Sequence, residues 1–310
     1  MTLLYRDEKF RLHDTGNHPE NRRRLEAIDA LLDKSGLPER CRSIACTPCD
    51  PATAALNHER DYIDQVAEYA AAGGGRIEAD TIVSPRSYDI ALLAAGSACD
   101  AVKRVVAGEE KTALCLVRPP GHHAVEQAAM GFCLFNNVAI AAQFARKRLD
   151  LDRVLIIDWD VHHGNGTQDA FYRDGQVGFF SSHRFPFYPG TGDKDETGAG
   201  PGLGGTRNLP FAMGVSRKDF LARFESELVD FAGKIRPQLV LLSAGFDAHR
   251  QDPVGSLGLE TEDFGELTRI VRGVASEHAG GKLVSLLEGG YNPDRLADCV
   301  ALHLQGLLAG

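Results

Sequence analysis

At 310 residues the chain is long for one domain, although α/β folds reach this size as single units. A hydrophobic content of 43% and a charged content of 25% place it among ordinary soluble globular proteins and exclude a fibrous or disordered chain. A net charge of −9 argues against nucleic acid as a primary partner, since phosphate binding needs clustered Lys and Arg, but it suits a cationic protein tail or a polyamine.

The segment Met1–Arg11 is charged and has no apolar leader core. No apolar run approaches the roughly 20 residues of a membrane span, so a cytoplasmic protein without membrane contact is expected. Leu25–Leu32 has the spacing of an amphipathic helix, ended by Gly36 and Pro38. Cys46 and Cys49 form a lone C-x-x-C among seven cysteines, which reads as free thiols in a reducing compartment. Asp61–Ala72 is a second helix, closed by Gly73-Gly74-Gly75, and Ile90–Ala107 a long Ala-rich one ending at Gly108. Thr112–Val117 is a short apolar strand stopped by Arg118-Pro119-Pro120-Gly121. Helix Asn137–Leu149, strand Val154–Ile157 and strand Val177–Ser181 follow. The Gly-rich stretch Gly198–Gly205 reads as a flexible surface loop. Helix Asp219–Lys234, strand Leu239–Ser243, helix Phe264–Ala279, strand Leu283–Leu287 and helix Asp294–Leu308 complete the chain. Short continuous apolar strands alternating with helices predict an α/β fold, a parallel sheet covered on both faces, with residues 1–310 as a single domain.

Chemistry-bearing residues follow several of these strands, where parallel sheets gather their ligands. Asp158-Trp159-Asp160-Val161-His162-His163-Gly164-Asn165-Gly166 comes directly after Val154–Ile157. An Asp-X-His pair in extended backbone directs both side chains to the same side, so Asp160 and His162 can face one metal ion. Asp247, just past the strand Leu239–Ser243, supplies a third donor. Two carboxylates and one imidazole make an open site that suits Zn(II) and also accepts Fe(II), Co(II) or Mn(II).

The tandem His122-His123 after Pro-Pro-Gly places two imidazoles on a stiff loop, a general base beside a general acid or electrostatic stabiliser. Asp158 and Asn165 are the candidates to set their tautomers: a carboxylate raises the pKa of its histidine, while an amide leaves the other less basic. In Leu287-Glu288-Gly289-Gly290-Tyr291 the glycines permit close backbone approach and deliver the Tyr291 phenol to a strand end, where it can donate to an oxyanion. Phe132 after Gly131, with Phe185, Phe187 and Tyr188, can line a narrow apolar slot that favours a neutral acylated amine over an ammonium.

Arg118-Pro119-Pro120-Gly121-His122-His123, Gly131-Phe132-Cys133, Asp158 to Gly166, Pro189-Gly190-Thr191-Gly192, Ser243 to Asp247 and Glu288-Gly289-Gly290-Tyr291 together resemble the metal-dependent histone deacetylase family. The match runs in order from His18-Pro19-Glu20 to Tyr291, and Val161 to Gln168 resembles the class II branch. Bacterial members of that branch include lysine deacetylase-like and acetylpolyamine amidohydrolase proteins. The resemblance implies an arginase/deacetylase fold with about eight parallel strands. It implies Zn(II) on Asp160, His162 and Asp247, proton handling by His122 and His123, and carbonyl polarisation by Tyr291. It further implies an acyl-lysine slot of Phe132 and Tyr188 with Gly131 and Gly290 among the substrate-binding residues, and a rim aspartate, Asp80, that holds the substrate backbone. A structural K+ or Na+ would sit on Asp158, Asp160, His162, Ser181 and Ser182. Arg24 matches a family arginine near an internal acetate channel, though Arg22-Arg23-Arg24 reads equally well as a solvated helix face. Tyr188 stands where many members carry Phe.

The function so implied is removal of acetyl or other acyl groups from lysine side chains by metal-activated water. The alternative is deacetylation of acetylpolyamines or other small amides, and the remoter one a non-catalytic acyl-lysine binder. A homo-oligomer is left open.

Overall fold

Residues Val154–Asp158 (β6), Leu239–Ala244 (β9) and Leu283–Leu287 (β10) are buried at every position, as strands covered on both faces must be. They lie at the centre of an eight-stranded sheet in a computed structural model that describes residues 1–309. The other strands are Thr2–Tyr5 (β1), Cys41–Ile44 (β2), Thr112–Cys115 (β5), Val177–Arg184 (β7) and Thr206–Phe211 (β8). The order is β2-β1-β5-β10-β9-β6-β7-β8, and every pairing is parallel. Gly75–Glu78 (β3) and Thr81–Val83 (β4) form a separate antiparallel hairpin.

The helices are Arg23–Ser35 (α1), Pro51–Ala54 (α2), Arg60–Ala71 (α3), Ser87–Val106 (α4), Asn137–Leu149 (α5), Asn165–Phe171 (α6), Arg217–Ile235 (α7), Thr261–Ala279 (α8) and Pro293–Leu308 (α9). α7, α8, α9 and α1 pack in series, and α4 packs on α5. Their ends follow from local sequence. Asn136, Ser216 and Asn292 cap α5, α7 and α9 by accepting backbone N–H groups. Glu260 and Asp263 form a reciprocal capping box at α8, and Gly36 and Gly280 end α1 and α8 in the left-handed conformation. No helix among the described residues is long and apolar enough to cross a membrane.

Three sheet strands were not expected from the apolar runs. β1 spans only four residues and is followed by Arg6-Asp7-Glu8-Lys9, so its hydrophobic signal is brief. β2 is partly exposed, at one edge. β8 forms the other edge and contains Asn208 and Pro210, a proline that an edge strand tolerates because one side of its backbone needs no ladder partner. The Gly198–Gly205 stretch is a largely exposed loop with one short 3-10 turn, Gly200–Gly202, in which Ala199 and Gly204 donate backbone N–H bonds to Tyr172 and Thr197, at 2.8 and 2.7 Å. A Cβ at Gly198 would lie 2.0 Å from the Gly202 carbonyl oxygen, so glycine serves close packing there.

From β6 the chain proceeds outward through β7 to β8, then returns to β9 on the other side of β6 and continues to β10. The β6/β9 boundary is therefore a topological switch point, and loops leaving their carboxyl ends diverge to open a crevice. Beneath it, Phe180, Phe220, Phe224 and Phe231 pack in tilted, edge and stacked arrangements under α7. Phe224→Ala should destabilise the protein by about 3–5 kcal/mol, the usual cost of emptying a fully buried Phe site; denaturant unfolding checks this.

Candidate active site

β6 and β9 deliver the acidic centre. Asp158 ends β6 and accepts the Asp160 N–H at 3.0 Å, which turns the chain so that Asp160 and His162 follow on the sheet's carboxyl edge. Asp160 accepts the His162 N–H at 2.9 Å, and Asp247, beyond β9, accepts the Val161 N–H at 2.9 Å. His162 Nδ1 then lies 3.0 Å from Asp160 and 3.1 Å from Asp247. One donor atom from each of Asp160, His162 and Asp247 falls within 4.8 Å of the others, and all three residues are buried.

The donor set fits a divalent cation. Burial alone would lower the His162 pKa, but its hydrogen bonds to Asp160 and Asp247 override this and push it up to about 10. Burial, and then the Asp160 charge, raises Asp247 to about 7. Two carboxylates sharing one desolvated space need positive charge, which a metal on these oxygens and this nitrogen would supply. Gly289 makes the approach possible: its N–H donates to Asp160 at 2.9 Å, and a Cβ there would lie 2.3 Å from Asp247 Oδ2. On the neighbouring strand β7, Ser181 stands in register with Asp158 and is bonded to His183 at 2.9 Å, while the Ser182 hydroxyl is buried without a partner.

The two imidazoles have the partners expected of them. His122 Nδ1 lies 2.9 Å from Asp158 and His123 Nδ1 2.7 Å from Asn165, with ring centroids 4.0 Å apart. Their environments separate them. Burial opposes charge on His122, yet Asp158 and Asp160 overcome it and raise it to about 10. Burial, reinforced by the neighbouring His122 and His162, holds His123 well below the ordinary imidazole range. The pair thus consists of a cation-favouring and a neutral ring.

Their loop is clamped from below by Glu288, which accepts the Gly121 and His122 N–H groups at 2.7 and 3.2 Å and the Ser243 hydroxyl at 3.0 Å. Arg24, the only buried member of its Arg run, donates to the carbonyls of Glu288 and Gly290 and to Glu20. The solvated-face alternative is therefore overturned for Arg24, while Arg22 and Arg23 are exposed. Glu20 also accepts Arg118 through both carboxylate oxygens.

The centre opens outward through a cavity of about 200 Å³ lined by Asp80, His123, Gly131, Phe132, His162, Phe187, Tyr188, Val254 and Tyr291. Phe132 adopts φ 71°, and its N–H donates to Thr81 Oγ1 at 3.0 Å, which donates in turn to Asp80 at 3.0 Å. Phe187 stacks on His162 at 5.2 Å and carries the Arg184 guanidinium at 4.0 Å on its ring. Tyr188 meets His123 edge-on at 5.2 Å and is 38% exposed. Tyr291 packs against Phe132 at 5.6 Å. Burial first, then Asp247, raises its phenol far above the ordinary range, so it is a hydrogen-bond donor at neutral pH. Gly290 does not line this cavity; its carbonyl is turned to Arg24 at 2.6 Å.

Glu20, Glu288, Asp252 and Val254 were not singled out in the sequence as site residues. Glu20 and Glu288 lie within the motifs but act on segments 98 and 167 residues away, a separation no local pattern reveals.

The chain matches the histone deacetylase domain family over residues 18–307. It is 38% identical over 284 residues to the histone deacetylase-like amidohydrolase of Pseudomonas aeruginosa, covering 91% of this chain and 73% of that one. It is 39% identical over 300 residues to the human polyamine deacetylase HDAC10, covering 92% of this chain and 44% of the human one. The solved structure of the HDA15 HD domain superposes with a TM-score of 0.94 at 36% identity, over 99% of this chain and 88% of that chain.

Two outcomes are expected. Arg118 and Arg24 hold the Glu20 pKa well below its ordinary value despite the opposing effect of burial, so its stabilisation is complete above the unfolded pKa of about 4.5 and is lost as pH falls through the lower folded value. Glu20→Gln should cost about 3–5 kcal/mol at neutral pH by leaving two buried guanidiniums short of charge, and should abolish that part of the acid dependence in unfolding titrations. Chelator-stripped protein should take up a single divalent ion per chain in a calorimetric titration, and His162→Ala should weaken uptake at least about tenfold.

Proposed function

Because the chain belongs to the histone deacetylase family, we propose that it is a zinc-dependent amidohydrolase that removes acetyl groups from lysine side chains of peptides or proteins. The observation that carries this reading is the slot itself: a narrow, largely aromatic passage that ends on His123, His162 and Tyr291. Burying four methylenes of a lysine stem there would contribute roughly 3 kcal/mol at about 0.8 kcal/mol per methylene. An ammonium would lose its hydration on the same path, so an acylated, neutral amine is preferred.

Asp160, His162 and Asp247 would hold the divalent ion, with Asp158, Asp160, His162, Ser181 and Ser182 around a monovalent one. When bound, the divalent ion supplies Lewis-acid polarisation and makes water more acidic. His123, neutral and oriented by Asn165, takes the proton of the attacking water and returns it to the departing amine. His122, kept cationic by Asp158, supplies positive charge beside the developing oxyanion without having to move a proton. Tyr291 donates its hydroxyl hydrogen to that oxyanion. Asp80 at the mouth accepts a backbone N–H of the substrate.

A second reading, deacetylation of an acetylpolyamine, is favoured by the likeness to the human polyamine deacetylase and by the same Asp80, whose carboxylate can face a distal ammonium. Amine release from an acetyl-lysine peptide and from acetylputrescine, each with and without chelator, separates the two. Chelator-sensitive turnover of the peptide is expected; turnover of acetylputrescine alone moves the assignment to small amines, and turnover of neither ends both. Tyr291→Phe should lower kcat by roughly 10²-fold, as expected for losing one oxyanion donor. Asp80→Asn keeps an oxygen acceptor for a peptide N–H but discards the charge an ammonium needs, so KM should rise less for the peptide than for the polyamine.

A further inference from the structure

Asp252 lies in the loop between β9 and α8 and is 8% exposed. Its two carboxylate oxygens accept three backbone N–H groups: Tyr291 at 2.6 Å on one oxygen, Val254 and Gly255 at 2.9 Å each on the other. No histidine, lysine or arginine bonds to it among the described residues. One carboxylate thus joins two separate loops, the one that bears the phenol and the one that forms the Val254 wall of the slot. Gln251 reinforces the seam, its carbonyl accepting Asn292 Nδ2 at 3.1 Å.

Tyr291 needs such an anchor. Its hydroxyl has no hydrogen-bond partner among the described residues; its ring touches Phe132 edge-on and lies under the Arg24 guanidinium at 5.1 Å, and the Gly290 carbonyl before it accepts from Arg24 at 2.6 Å. The phenol is therefore placed from two sides: Arg24 holds the ring face and the preceding Gly290 carbonyl, and Asp252 holds the N–H of Tyr291 itself. A stem that fills the slot presses on Val254, whose N–H is held by the other oxygen of the same carboxylate.

We propose that Asp252 is a positioning residue for the deacetylation reaction, holding the Tyr291 hydroxyl in register with the slot wall; the proposal rests on the function assigned above. Asparagine cannot replace it, because its NH2 would meet a backbone N–H with a second donor.

The test is a double-mutant cycle. Asp252→Asn should lower kcat for an acetyl-lysine peptide by about tenfold or more with KM changed less than about threefold, and leave the divalent-metal content unchanged. In a Tyr291→Phe background the same substitution should cost less than about twofold, since there is no hydroxyl left to position. Full additivity of the two losses would overturn the proposal, as would an unchanged kcat in Asp252→Asn. Hydrogen exchange at the Tyr291 amide provides a readout independent of turnover: it should accelerate at least about tenfold in Asp252→Asn while amides of β10 keep their rates. A wild type that turns over no amide would end the functional assignment, and the amide-exchange result would still decide whether Asp252 anchors Tyr291. If Asp252→Asn does not fold, Asp252→Ser takes its place in the cycle; if neither variant folds, Asp252 is a folding residue and the proposal fails.

Discussion

The interior of this protein holds more negative charge than its own side chains neutralise, and the site is organised around that excess. Asp158, Asp160, Asp247 and Glu288 are all buried within a few residues of the β6, β9 and β10 ends. Isolated, any one of them would be costly to desolvate. Backbone N–H groups absorb part of the charge: Gly121 and His122 on Glu288, Asp160 on Asp158, Val161 on Asp247, Gly289 on Asp160. The imidazoles of His122 and His162 absorb part of the remainder, which is why both are pushed toward the cationic form. What remains is centred on Asp160 and Asp247, which with His162 form a cluster that could hold a metal ion. Binding chemistry and fold stability are thus drawn from the same electrostatic imbalance.

A second buried charge group, on the other side of the β10 loop, is closer to balance. Arg24 and Arg118 share Glu20 and spend their remaining donors on the carbonyls of Glu288, Gly290, Phe10 and His13. This group fixes the N-terminal segment to the Pro-Pro-Gly loop and to the Gly-Gly turn, so the His pair and Tyr291 are referenced to a common rigid support. The split between His122 and His123 has a related origin. The rings are adjacent in sequence and in space, yet a carboxylate faces one and an amide the other, so proton affinity diverges between neighbours.

Much of this was legible in the sequence because the chemistry is written at strand ends. The central strands β6, β9 and β10 are uninterrupted apolar runs, and Asp160, His162 and Asp247 follow β6 and β9 closely, although bends after those strands, rather than extended backbone, bring them into one cluster. The partners of the two histidines could be named because Asp158 and Asn165 bracket the same motif. The outer strands were not legible: β1 is too brief, and of the two edge strands β2 is too polar and β8 carries a proline, so their strand character comes from the sheet they join. Nor were the long-range supports. Asp252 is an ordinary loop aspartate until the fold brings the Tyr291 amide to it, and one arginine of an Arg-Arg-Arg run is buried because helix α1 turns that face to β10.

The β3–β4 hairpin stands apart from the eight-stranded sheet and contributes nothing to the metal-binding triad, yet it carries Asp80 and, through Thr81, fixes the Phe132 wall. Mouth and reaction centre are thus built on different substructures. A change in the length or charge of this hairpin would alter the lining of the cavity while the Asp160, His162 and Asp247 cluster stayed as it is. No hydrogen bond among the described residues ties the hairpin to Asp160, His162 or Asp247, so its sequence is free to change without a steric or polar demand on that cluster.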